Sequence, residues 1–212
     1  MDEKQPMKKG VVMRILKFIS LMICFASFLL LQGCGKETVE PPTASELIDQ
    51  GWDKFATGGF SGASGDFNAA LGLDAAAYEA YLGLGWAELR QNHGGLAENA
   101  FVIYVDSTSD SEYQARGGLA LAYLAQAKFQ DAITTANVVL SAVPAWTFSN
   151  DGNINHLDLK LALVQSYYEI GDYTQCLDAI QTYFDSAFNP GDVNTDQGRE
   201  ALAEKIESLY TG

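Results

Sequence analysis

Apolar residues recur along this chain at three- and four-residue spacing, and no long alternating Val/Ile/Thr run interrupts them, so the pattern predicts helices rather than strands. Leu161 to Ile180 shows it most plainly. Leu163, Val164 and Tyr167 mark one helix that runs into Gly171, and Tyr173, Cys176 and Ile180 mark a second that starts near Tyr173. The same arrangement stands 44 residues upstream, where Leu119, Ala120 and Tyr123 precede Phe129 and Ala132, and Pro144 closes the unit. Leu84, Gly85, Ala97 and Phe101 form an earlier copy, and Gln50, Gly51, Ala63 and Phe67 stand 34 residues before those four. Trp52 and Trp86 repeat with that spacing of 34.

The order of residue types has a physical reading. Small residues at Gly51, Gly85 and Ala120 let a first helix approach its partner, and Ala63, Ala97, Ala132 and Cys176 do the same for the second. A single helix pair cannot bury its apolar stripe, so such units must stack. This pattern resembles the tetratricopeptide repeat, a helix–turn–helix unit of 34 residues. The resemblance covers about residues 44–188 in four units, closer in units three and four and looser in one and two. Unit one gathers Gly58, Gly59, Gly62 and Gly65 around its turn and second helix, and unit two has Gly94 where an aromatic is expected. The resemblance implies an all-α, right-handed solenoid. Gln197 to Tyr210, with Ala201, Leu202, Ile206 and Leu209 on one stripe, is expected to cap its open end across a 189–212 linker and helix. An unrelated helical bundle is the competing reading of the same spacing.

The amino-terminal region has a different character. Lys4, Lys8, Lys9, Arg14 and Lys17 precede an uncharged apolar run from Phe18 to Leu31, short for a membrane span and suited to a signal-peptide core. The run ends in Leu31-Gln32-Gly33-Cys34, which resembles the lipobox of bacterial lipoproteins, although Gln32 is less usual there. That resemblance implies removal of residues 1–33 and lipidation of Cys34, with several acyl chains holding the protein on a membrane. Gly35 follows the Cys in place of the Asp associated with inner-membrane retention, so in a cell with two membranes the expected location is the outer membrane, facing the periplasm. Residues 34–43, with Glu37, Glu40, Pro41 and Pro42, read as a flexible tether. Ser45 with Glu46 is expected to begin the first helix.

Charge narrows the partners. The chain carries −14 overall, and residues 1–33 carry +3, which leaves −17 on the remainder. Such a surface repels phosphates and argues against nucleic acid. Neither an HExxH, a CxxC nor a Gly-x-Ser-x-Gly is present, the two histidines, His93 and His156, are far apart, and no Lys-Ser/Thr follows the Gly-Gly pairs. No enzymatic chemistry and no cofactor are therefore expected. Cys176 alone remains once Cys24 leaves with the signal and Cys34 is lipidated, and it falls at a packing position.

Two places remain as candidate sites. Asp151-Gly152-Asn153-Ile154-Asn155-His156-Leu157-Asp158 resembles the second half of a calcium loop, with Asp151, Asn153, Asn155 and Asp158 as ligands. Its first half lacks the leading carboxylates, with Thr147 and Ser149 in their place, and the same residues read equally as a helix start capped by Asn155. Asp192 to Asp196 opens like a calcium loop but meets Gln197 where the turn Gly should stand. The other site is the groove that first helices line in tetratricopeptide stacks. Repeat phase places Ile48, Trp52, Phe55, Leu82, Trp86, Leu89 and Arg90 there, with Leu121, Leu124, Gln165 and Tyr168 from later units; interhelix core is the alternative for the aromatics. The family's carboxylate clamp needs Lys, Asn and Arg in the groove, and only Arg90 and Arg116 are near. The expected role is a lipid-anchored envelope adaptor that binds another protein, by analogy in outer-membrane assembly, with capture of a glycan or small ligand and a calcium-binding module as alternatives.

Overall fold

The computed structural model describes residues 40–107 and 112–211. The signal segment, the lipobox with Cys34 and the first part of the tether lie outside the described residues. Thr43, rather than Ser45, caps the first helix. Its hydroxyl accepts from the Glu46 N–H at 3.2 Å, and the Glu46 carboxylate accepts from the Thr43 N–H at 2.8 Å, which satisfies two donors that the helix itself cannot. From there the described chain is helical: α1 Ala44–Ala56, α2 Phe60–Leu73, α3 Tyr78–Arg90, α4 Gly94–Ser107, α5 Glu112–Ala125, α6 Phe129–Ala142, α7 His156–Glu169, α8 Tyr173–Tyr183 and α9 Asp196–Thr211. The only bridge between extended segments among the described residues joins Thr147 and Asn155. The all-α expectation holds.

The repeat is stricter in the backbone than in the sequence. Two residues past the end of each first helix stands a residue with positive φ: Gly58 at 80°, Asn92 at 63°, Ala127 at 58° and Gly171 at 78°. The next N–H reaches back to the carbonyl five residues earlier in every unit, Gly59 to Lys54 at 2.8 Å, His93 to Glu88 at 2.9 Å, Lys128 to Tyr123 at 2.9 Å and Asp172 to Tyr167 at 2.9 Å. This is the Schellman closure, which pairs carbonyls left open at a helix end. Ala127 has a Cβ in the left-handed region, where L-residues are strained. Ala127→Gly is expected to stabilise the protein by about 0.5–1 kcal/mol, the relieved strain less the extra freedom of the unfolded chain. Urea denaturation would show it as a raised midpoint.

Packing sorts the helices into two layers. The first helices of the units, α1, α3, α5 and α7, touch one another in succession, while each second helix touches its own first helix and the next unit's. The first helices thus form the inner layer, which in a solenoid is the concave side. Aromatic residues lock the units together through glycines. Phe67 of α2 lies between α1 and α3, where a Cβ on Gly51 or Gly83 would meet its ring at 2.6 or 2.3 Å. One unit later, Phe101 of α4 lies between α3 and α5, where a Cβ on Gly85 or Gly118 would meet its ring at the same two distances.

The last unit is covered by α9. Leu202 and Ile206 pack with Val164, Cys176, Ile180 and Val193 in a second core cluster. Lys205 holds Asp185 of the preceding loop at 2.7 Å, and that hydrogen bond, with the Ala187 N–H, keeps the Asp185 carboxyl below the usual range. Because the folded value is depressed, the stability tied to this pair is present above the ordinary carboxylate range and is lost as pH falls through the folded value.

Candidate functional site: the concave face and the loop across it

The inner layer should expose a groove from α1 to α7. Half of it is closed by the chain itself. Residues between α6 and α7 fold back over the concave side as a tight hairpin, with the Phe148 N–H on the Ile154 carbonyl at 2.9 Å and the His156 N–H on the Trp146 carbonyl at 2.7 Å. Gln114 of α5 grips its outer strand, donating to the Thr147 carbonyl at 3.2 Å and accepting from the Ser149 N–H at 3.0 Å. Arg90 of α3 holds the tip through Asp151 at 2.9 Å and lies over the Phe60 ring.

This hairpin delivers two aromatics into the groove. Phe148 stacks on Trp86 with ring centroids 4.0 Å apart and also meets Trp52 and Phe55 at about 6 Å. Trp146 lies nearly parallel to Trp86 with ring centroids 6.3 Å apart, and against Gly117, where a Cβ would come within 2.3 Å of the indole. Both are buried. In extended chain, side chains two apart point the same way, which explains how Trp146 and Phe148 share a face while Thr147 stays exposed. The Trp86 and Trp146 indole N–H groups find no acceptor in the chain.

The residues expected in the groove are therefore divided. Trp86, Phe55 and Leu82 lie on the inner layer as their phase requires, but they are covered: Trp86 has 0% of its surface exposed. Its ring face is under Phe148 and offers nothing to a sugar. Ile48 and Trp52 are half-buried against the same core, and Trp52 holds Glu79, whose carboxyl is pushed up by burial and drawn back by the indole N–H. Tyr168 packs edge-on with Tyr173 at 5.4 Å, in the core under the cap helix. Phe148 and Trp146 are what reading by repeat phase missed. Their signal was a pair of aromatics spaced by two in the Asn- and Gly-rich insertion, Trp146 to Asn155, between units three and four.

What stays open is a pocket of about 240 Å³ beyond the hairpin. Leu89 and Arg90 from α3, Leu121 and Leu124 from α5, and Leu161 and Ala162 from α7 form its walls. Ile154 of the hairpin and the edge of Trp86 close one side, and Asp158 and Tyr210 stand at the rim. The Tyr210 hydroxyl donates to Gln165 of α7, which ties the end of α9 to the inner layer. Burial and the neighbouring charge of Asp158 push the Tyr210 phenol upward.

The candidate calcium ligands have other engagements. Asp151 holds Arg90 with one oxygen and accepts from the Asn153 N–H and side-chain amide with the other, at 3.1 and 3.0 Å. Asn155 and Asp158 form the capping box of α7: the Asn155 side chain accepts from the Leu157 N–H at 2.9 Å, and Asp158 accepts from the Asn155 N–H at 2.7 Å. A calcium ion there would have to displace both arrangements. Asp192 likewise accepts from the Asn194 N–H and side-chain amide.

Cys176 is buried, and burial, with the charge of Asp172, pushes its thiol up to about 12. A thiolate is the reactive form, so a disulfide reagent at pH 8 is expected to leave Cys176 unmodified until the protein is unfolded in denaturant. Modification of the native protein within minutes would contradict this packing.

Among the described residues, four stacked helix pairs with an inner layer, an outer layer and a cap define a tetratricopeptide-type solenoid. The comparisons agree. Residues 48–101 match the family described as tetratricopeptide repeat. A crystal structure of a tetratricopeptide repeat protein from Parabacteroides merdae ATCC 43184 shares the fold, with a TM-score of 0.51 and 17% identity over 95% of this chain and 69% of that chain. No curated protein matches the chain.

Proposed function

We propose that this is a lipid-anchored protein of the bacterial cell envelope that binds another protein through the open pocket of its concave face and carries out no chemistry itself. The observation behind the binding reading is that pocket: apolar walls from three successive first helices, left uncovered beside a groove that the chain otherwise fills. A concave, mostly apolar surface with a few polar groups is the usual form of a recognition site. The anchoring reading rests on Leu31-Gln32-Gly33-Cys34 and the basic-apolar run before it. Gly35 in place of the Asp associated with inner-membrane retention supports an outer-membrane, periplasm-facing position in a cell with two membranes, and a role in outer-membrane assembly is an analogy with other small tetratricopeptide lipoproteins.

The binding reading is tested by photo-crosslinking in the native envelope, with a benzophenone amino acid replacing Leu124 in the pocket and a control at Gln130 on the outer layer. A discrete protein adduct from Leu124 alone is expected. Absence of any adduct, with the protein present and folded, would remove the pocket as a protein-binding site. The anchor is tested separately: metabolic labelling with a palmitate analogue should mark the wild type and not Cys34→Ser, and a labelled Cys34→Ser protein would sink it.

A further inference from the structure

The partner's chemistry can be read from how this molecule spends its own charges. Among the described residues, Lys54 pairs with Asp66, Arg90 with Asp151, Arg116 with Glu112, Lys128 with Glu98, Arg199 with Asp196 and Lys205 with Asp185. Lys160 lies over the Tyr183 ring. These are all the Lys and Arg of the described residues, and each is already engaged. The carboxylates are in large excess, because the chain has 27 Asp and Glu against 13 Lys and Arg. At the pocket the lining has one residue of each sign, Arg90 and Asp158. Arg90 is held by Asp151 of the hairpin, while Asp158 has only the Asn155 N–H on one of its two oxygens. The Arg90 charge is offset by Asp151 at 2.9 Å, whereas Asp158 has no cation paired with it among the described residues, so in the field of a carboxylate-rich molecule a cation is favoured there over an anion.

The shape of the opening adds a second constraint. The hairpin with Trp146 and Phe148 blocks the groove over α1 and α3, so a segment cannot run along the whole inner layer. The remaining 240 Å³ suits one large apolar side chain inserted from outside, against Leu89, Leu121, Leu124 and Leu161. We infer that the pocket receives a peptide segment whose large apolar side chain is flanked by a basic residue, the apolar group entering between α3, α5 and α7 and the cation meeting Asp158. This rests on the protein-binding reading above and deepens it.

The test uses the full-length chain in non-ionic detergent and three fluorescein-labelled nonapeptides with Gly/Ser ends and centres Lys-Phe-Lys, Glu-Phe-Glu and Lys-Ala-Lys. Anisotropy titrations should show saturable binding of the Lys-Phe-Lys peptide, at least tenfold weaker binding of the other two, and weakening by added salt. Leu124→Trp, which fills the pocket, should abolish binding. Asp158→Asn, which keeps the shape and an acceptor for the cap, should weaken it at least threefold with the melting temperature nearly unchanged. Equal binding of Glu-Phe-Glu, binding that survives both variants, or no saturable binding of Lys-Phe-Lys would overturn the inference. Quenching of tryptophan fluorescence by maltohexaose, without peptide binding, would overturn it in favour of a glycan. If Leu124 gives a protein adduct in cells while Lys-Phe-Lys does not bind, the partner chemistry falls and the protein-binding reading stands. If both fail, both fall.

Discussion

Phe148→Ala is expected to destabilise the protein by about 3–5 kcal/mol, the range for deleting a fully buried aromatic side chain. Phe148 has no exposed surface and touches Trp86, Trp52 and Phe55 at once. Removing it takes away the stacked face of Trp86 and leaves a void that three rings from two helices must refill. Thr147, one residue earlier, is exposed, and Thr147→Ala is expected to change stability by less than about 0.5 kcal/mol. Urea denaturation monitored by circular dichroism separates the two. A loss below about 1 kcal/mol for Phe148→Ala would mean that the hairpin does not contribute to the core.

Gly118→Ala is expected to cost at least about 1–3 kcal/mol through overpacking. The added methyl would stand 2.3 Å from the Phe101 ring, which is itself wedged against Gly85 and has no space to retreat. The informative control is Gly65→Ala in α2, where a Cβ meets nothing within 4 Å and the helix gains a better former. That change should stabilise by about 0.4–1 kcal/mol. Equal effects at the two sites would contradict the reading that small residues are there to admit aromatics between units.

How much of this was legible in the sequence follows from what is local. Helix class, the phase of each first helix and the small-residue positions come from neighbours three and four apart, and Gly51, Phe67, Gly85 and Phe101 carry that phase at a strict interval. The family match falls on residues 48–101, in the two units that looked looser by their glycines. Those two keep the regular 34-residue spacing, whereas the insertion separates units three and four by 44. Two of the four turns were hidden because Asn92 and Ala127, not glycine, take the left-handed position. The groove was the larger miss. Phase places Trp86 correctly on the inner layer, but what covers an inner face is decided by a segment distant in sequence. Trp146 and Phe148 lie in an insertion whose Asn, Gly and Ser content reads as a surface loop. Arg90 stood out as a possible ligand contact and instead fastens that loop through Asp151.

The claim on which the rest depends is that the hairpin is docked on the concave face in the native protein. Native-state hydrogen exchange, read at single amides by NMR, tests it most directly. The Phe148 N–H, bonded to Ile154, and the His156 N–H, bonded to Trp146, should exchange as slowly as core amides of α3 and α5, because they open only when the aromatics leave the groove. Exchange of both amides at the rate of a free loop, while the helices stay protected, would show the groove to be open and Trp86 available, and the pocket would no longer be the limit of the site.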